Sequence, residues 1–170
     1  MSTYGLFHTA ISVLAIPLGL FAFARDGKID PRNRIGRLYF AAMLIGTLTG
    51  FGFILTKGFN PAAQVLSAAT LLLLLTGIFA GRVAWLGRAA AYVQTFSTSA
   101  SYLLLMVFTT TETLTRIPAG RPFAAGPDSP ELLPVRLGLL FAFVVGLGYQ
   151  FSELRAARES RNNSRPVLHS

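Results

Sequence analysis

Apolar positions in this chain fall into five long runs, broken by Gly, Ser and Thr but by almost no charge. The runs cover approximately 4–24 (YGLFHTAISVLAIPLGLFAFA), 37–56 (RLYFAAMLIGTLTGFGFILT) and 62–84 (AAQVLSAATLLLLLTGIFAGRVA). Two more follow at 89–112 (AAAYVQTFSTSASYLLLMVFTTTE) and 135–152 (VRLGLLFAFVVGLGYQFS), the fourth being the least apolar and the fifth the shortest. About 20 mostly apolar residues in helical form cross the hydrocarbon core of a bilayer. A backbone facing lipid must satisfy its own hydrogen bonds, and the alternation of a β-barrel strand is missing, so each run predicts a helix. The expected fold is all-α: an integral membrane bundle of five transmembrane helices over 1–159, with a polar, frayed tail at 160–170 (SRNNSRPVLHS). Connections are short except 113–134, whose Pro- and Gly-rich part (IPAGRPFAAGPDSPELLP) predicts irregular packing on one end of the bundle.

Charge sets the expected orientation. Of the 170 residues only 13% are charged and 52% are hydrophobic, and 15 Lys+Arg face 7 Asp+Glu for a formal +8. In a soluble chain that excess would point to nucleic acid. Here the basic residues lie between the apolar runs, which makes them topology signals and excludes a nucleic-acid partner. With the N-terminus outside, the cytoplasmic segments hold Arg25, Lys28, Arg32, Arg34, Arg37, Arg82, Arg88, Arg155, Arg158, Arg161 and Arg165, against Lys57, Arg116, Arg121 and Arg136 outside. Eleven to four is a positive-inside bias for N-out, C-in. The first charge is Arg25, so the first run lacks the basic start of a cleavable signal and reads as a retained span. Arg outnumbers Lys by 13 to 2 and Ala is abundant, a composition of GC-rich bacterial genomes, hence an expected bacterial inner-membrane location.

Small residues mark where helices can approach closely. Gly46xxxGly50 and Gly77xxxGly81 lie in the second and third runs, and Gly146 and Gly148 in the fifth. They serve either packing within the bundle or a face for a second copy or a larger membrane complex. Pro17 predicts a kink in the first helix that frees the carbonyl near residue 13. In the fourth run Gln94, Thr98, Ser101 and Tyr102 follow helical spacing, with Ser97 beside them. One reading is interhelical hydrogen bonding, the other a polar lining for a small ligand.

Candidate chemistry is sparse. With no Cys and with His8 and His169 as the two histidines, disulfides, thiolate ligands, multi-histidine metal sites and bis-histidine haem ligation within the chain are excluded. No phosphate-binding Gly-rich loop with its Lys occurs, and Asp26, Asp30 and Asp128 fall in predicted loops, away from any Ser/His/Asp arrangement. No catalytic residue and no metal ligand set is predicted. Ionisable groups near apolar spans are functional candidates by default. The topology brings His8, Gln64 and Glu112 to one membrane level near the outer face, with Arg116 at i,i+4 from Glu112. His8, Gln64, Glu112 and Arg116 are therefore the predicted ligand-binding residues.

The segments FHTAISVLAIPLGLFAF at 7–23, RNRIGRLYFAAMLIGTLTGFGF at 32–53 and GFNPAAQVLSAATLLLLLTGIFAGR at 58–82 carry a resemblance over the first half of the chain. In layout it is similar to the bacterial predicted membrane proteins grouped as domain of unknown function 2306. Those proteins have a His-Arg-x-x-Gly-Arg pattern at the second span and a histidine at the start of the third. Here Arg32 and Gln64 stand at those histidine positions, and His8 alone keeps its histidine. The resemblance implies architecture and little mechanism. The expected function is a non-enzymatic multi-pass protein, an accessory or structural subunit of a larger membrane complex. The rival is a redox or ligand-binding protein holding haem, a metal or a quinone near the outer face. No cofactor is firmly implied.

Overall fold

A computed structural model describes residues 2–118 and 120–163, and for 56, 57, 62 and 161 the backbone alone. His169 and most of the predicted tail lie outside these residues. Helices α1 (Thr3–Asp26), α2 (Arg34–Lys57), α3 (Pro61–Phe79), α4 (Ala90–Leu114) and α5 (Leu133–Asn163) follow one another, and no strand occurs among the described residues. Among the described residues four helices, all but α4, are long and apolar enough to cross a membrane.

The helix starts are written in side chains. Ser2, Asn33 and Asn60 cap α1, α2 and α3 by accepting from the N–H of Gly5, Gly36 and Ala63, which satisfies one of the bare donors of each first turn. The amide of Asn33 also donates to Asp26 at 2.8 Å, tying the end of α1 to the start of α2. α1 ends on Gly27, whose φ of 68° is the left-handed conformation a glycine adopts without steric cost.

Three boundaries differ from the hydropathy pattern. The third run continues apolar to residue 84, yet α3 stops at Phe79 and the chain makes two 3-10 turns, Ala80–Arg82 and Ala84–Ala89. Val83 between them is extended and Gly87 has φ 44°. The fifth run is the shortest by hydropathy, but α5 is the longest helix, at 31 residues. It runs on through Glu153–Asn163, so the predicted tail begins helical. Asp26 closes α1 and does not sit in a loop.

Neighbouring helices run antiparallel. His8 meets Thr49, Gly50 meets Ser67, Gln94 reaches the Gly77 carbonyl, and Ser99 meets Gln150. The centre lies among α1, α2 and α4. Tyr39 is fully buried there, its hydroxyl 2.9 Å from Ser101 Oγ, with Ala15, Ala22, Met43, Leu74 and Leu105 around it. Missing side chains make the room: a Cβ on Gly19 would run into the Tyr102 ring and lie 3.2 Å from Tyr39. On Gly46 it would lie 3.0 Å from Ser12 Oγ, on Gly50 3.1 Å from Ser67 Oγ, and on Gly77 2.9 Å from Thr98 Cγ2. Gly81 faces the guanidinium of Arg32. These glycines are used inside the chain.

α4 is the helix most enclosed by others, packing on α1, α3 and α5. Its buried residues are Thr95, Ser97, Thr98, Ser99, Ala100, Ser101 and Leu105. A helix surrounded by protein can be polar where its hydroxyls find carbonyls, which is why α4 lacks the apolar stretch of a membrane span that the other four contain.

Candidate functional site

The predicted outer residues lie at the bundle end formed by the starts of α1 and α3 and the ends of α2 and α4. His8 Nδ1 is 2.8 Å from Thr49 Oγ1. Thr49 Oγ1 also lies 2.8 Å from the Ile45 carbonyl and 2.9 Å from that of Gly46, so its one hydroxyl proton is shared among the imidazole and two backbone acceptors. Tyr4 donates to the Thr49 carbonyl, and both Tyr4 and His8 meet the Phe53 ring edge to face. The imidazole thus fastens the start of α1 to α2. Sequence reading missed Thr49, Tyr4 and Phe53, because hydropathy does not say which turn of α2 faces α1.

Gln64 sits one turn before Ser67 on α3, and its Oε1 is buried without a hydrogen-bond partner. Glu112 pairs with Arg116, as the i,i+4 spacing predicts. Both are partly exposed, at 36% and 61% of their side chains. The threonines around them bond back to their own helix: Thr110 to the Met106 carbonyl at 2.7 Å and Thr115 to that of Thr111 at 2.8 Å. His8 and Glu112 are each held by a local partner on α2 and α4. Among the described residues no three acidic or histidine side chains group so as to hold a metal.

The polar residues of α4 mostly bond between or along helices. Gln94 Nε2 donates to the Gly77 carbonyl at 2.9 Å, Tyr102 to the Ile16 carbonyl at 3.2 Å, and Thr98 and Ser101 to carbonyls one turn back. Along this face they act as ties between α4 and its neighbours.

Around the corner of α4 a cleft of about 320 Å³ opens against α5 and the end of α1. Its α5 wall is the stripe Leu139, Ala142, Phe143, Gly146, Leu147 and Gln150, spaced by threes and fours along one helix face. Ser99, Tyr102, Leu103 and Met106 form the α4 wall at the same spacing, and Phe23 and Gly27 complete it from α1. The space exists because Gly146 and Ala142 are small; a Cβ on Gly146 would meet nothing within 4 Å.

One end of the cleft is polar. Ser99 donates to Gln150 Oε1 at 2.8 Å, and Gln150 Nε2 donates to the Gly27 carbonyl at 2.9 Å. One amide thus joins α4, α5 and the end of α1, satisfying a carbonyl that the helix end leaves bare. The ring of Tyr149 lies beside Gly27 at the same end. The cleft is apolar towards Met106 and Leu139 and hydrogen-bonding at Ser99, Gln150 and Gly27. Sequence reading missed it. The available signal was Gln150, an amide at the end of an apolar stripe that also contains Gly146.

No family model, no curated protein and no solved structure matches the chain. The site is therefore read from its own geometry.

Proposed function

We propose that this chain is a non-enzymatic multi-pass membrane protein, crossing five times with the N-terminus outside and the C-terminus in the cytoplasm of a bacterium. Its working site in this reading is the cleft between α4 and α5, which holds one apolar molecule. The cleft itself carries the proposal: at about 320 Å³ it falls at the small end of ligand sites, roughly 300–1,000 Å³, and combines apolar walls with a few convergent polar groups. Five crossings follow from the apolar runs, with α4 kept polar by its enclosure, and the orientation from the eleven-to-four bias of basic residues. Haem, a metal or a quinone beside His8, Gln64 and Glu112 is the less supported site, since Thr49 and Arg116 already engage His8 and Glu112.

The test is extraction of the chain in mild detergent and mass spectrometry of whatever apolar molecule stays bound. Gly146→Leu fills the cleft, whereas Gly148→Leu adds the same side chain where no cleft wall lies. Wild type and Gly148→Leu are expected to retain about one molecule per chain, and Gly146→Leu to lose it. Equal retention by both variants would count against the cleft.

A second reading, the accessory subunit of a larger membrane complex, draws on α5. That helix packs along α4 and leaves Leu137, Phe141, Val144 and Val145 exposed on its other side. Co-purification with larger partners after gentle extraction supports it, and isolation solely as a monomer counts against it.

A further inference from the structure

We infer that the turn between α3 and α4 binds an acidic phospholipid, with the headgroup at Arg82 and Arg88 and the upper acyl chain against Trp85. This rests on the reading of the chain as a membrane protein and is independent of the cleft beside α5.

The turn has the make-up of a bilayer surface element. α3 stops at Phe79, yet the apolar Val83, Trp85 and Leu86 continue through the 3-10 turns. Together with Leu75, Thr76, Phe79 and Ala80 they line a groove at the end of α3. Trp85 is 86% exposed. A tryptophan at the end of a membrane helix sits at headgroup level, where its ring meets hydrocarbon and its N–H meets polar groups.

Positive charge lies on the rim of that groove. The Arg82 guanidinium stands 5.2 Å from the ring centre of Phe79, itself a wall of the groove. Arg32 comes in beside the same turn, since a Cβ on Gly81 would lie 3.3 Å from its Nη2. Arg88 follows Leu86 by two residues and is exposed. Its carbonyl accepts from Arg158 at 2.6 Å, which ties the turn to α5 through backbone and leaves the Arg88 side chain out of the bond.

No carboxylate answers these charges from the elements that build the site. Between Asp30 and Glu112 the sequence holds neither Asp nor Glu, so α2, α3, the turn and α4 as far as Thr111 contribute none. Four acids lie at this end of the bundle. Asp26 pairs with Arg25 at 2.9 Å, and Asp30 accepts from the backbone N–H of Arg32 at 2.9 Å. Glu153 and Glu159 share their stretch of α5 with Arg155 and Arg158, which balances it. Among the described residues none of the four forms a salt bridge with Arg32, Arg82 or Arg88. The α5 end is therefore charge-balanced and the turn is not. An apolar wall beside uncompensated cations selects an anion that carries a hydrocarbon chain. A soluble acid would leave Trp85 uncovered, and a neutral lipid would leave Arg82 unanswered.

Trp85 is the single tryptophan, so its fluorescence reports on this groove alone. The full chain is reconstituted into phosphatidylcholine vesicles containing a small fixed share of brominated lipid, either phosphatidylglycerol or phosphatidylcholine. Bromines on the upper acyl chain quench a tryptophan they touch. Wild type is expected to favour phosphatidylglycerol at least about fivefold, the scale of one basic residue near a headgroup. Arg82→Gln with Arg88→Gln is expected to bring the two lipids to parity, and Arg155→Gln, on the balanced end of α5, to keep the preference. Equal quenching by the two lipids in wild type overturns the proposal, as does an unchanged preference in the double variant. Loss of the preference in Arg155→Gln would mark a general surface charge and overturns it too. Flotation of the chain with the vesicles reports on the membrane reading separately. Quenching by neither lipid in a chain that floats removes the lipid site alone, whereas a chain that does not float sinks both.

Discussion

The apolar spans of α1 and α5 are nearly equal in hydropathy, and their glycines do opposite work. In α1 Gly19 lets the rings of Tyr102 and Tyr39 close onto the backbone, in the most buried part of the molecule. In α5 Gly138, Gly146 and Gly148 face open space, and the helix is attached along one side. Small residues permit close approach between helices but do not create it. Where aromatic rings arrive from the neighbour, the result is a core; where none arrives, it is a groove. The same residue type therefore marks the most buried and the most open parts of this bundle.

The largest expected effect tests that contrast directly. Gly19→Leu forces a side chain into the Tyr102 and Tyr39 rings and is expected to destabilise by about 1–3 kcal/mol, the usual range for overpacking. Gly138→Leu has no atom to meet. It is expected to be neutral or to stabilise by up to about 1 kcal/mol, as loss of a mid-helix glycine does. Thermal unfolding in detergent, followed by helical circular dichroism, measures both. Equal losses would mean that α5 is as enclosed as α1, and the contrast would fall.

A smaller effect is expected where the two regions join. Gln150→Leu removes the amide linking α4, α5 and the end of α1 and leaves the Gly27 carbonyl and the Ser99 hydroxyl to find other partners. Interhelical hydrogen bonds in membranes average about 0.6 kcal/mol and reach about 1.7 kcal/mol, so a loss of about 1 kcal/mol is expected. It should be local. Amide hydrogen exchange should quicken in α5 and stay unchanged around Tyr39, since weakly attached elements open without the rest. Uniform quickening would show α5 to be part of the central core.

Much of the fold was legible in the chain because hydrophobic length and helix ends are local properties. The caps Ser2, Asn33 and Asn60 sit where the apolar runs begin. The misread boundaries have a common cause: hydropathy reports solvent preference, not backbone conformation. Val83–Leu86 stay apolar while Val83 is extended and Gly87 has positive φ, so the end of α3 was invisible. Residues 153–159 are charged but rich in helix formers, so α5 outlasts its apolar run. The site was less legible, because it depends on which faces meet. The spacing of Glu112 and Arg116 is local and was readable. The pairing of His8 with Thr49 and of Ser99 with Gln150 joins residues 41 and 51 positions apart. Nothing along the chain ranks those partners above their neighbours one turn away.

The smallest expected effect concerns Glu112, the residue whose position in an otherwise apolar stretch first singles it out. Its partner Arg116 is largely exposed and Glu112 itself is more than a third exposed. Solvent screens such pairs, which contribute about 0–1 kcal/mol and often nothing measurable. Glu112→Gln keeps the shape and removes the charge, so its unfolding midpoint is expected to stay close to wild type. Glu131→Gln, on the 3-10 turn before α5, should match it. A loss above about 1 kcal/mol for Glu112 alone would exceed what an exposed pair supplies. It would mean that the carboxylate is held by a buried partner, and it would return the Glu112 end of the bundle to consideration as a site. Matching, negligible changes in both variants would leave the cleft beside α5 as the site to pursue.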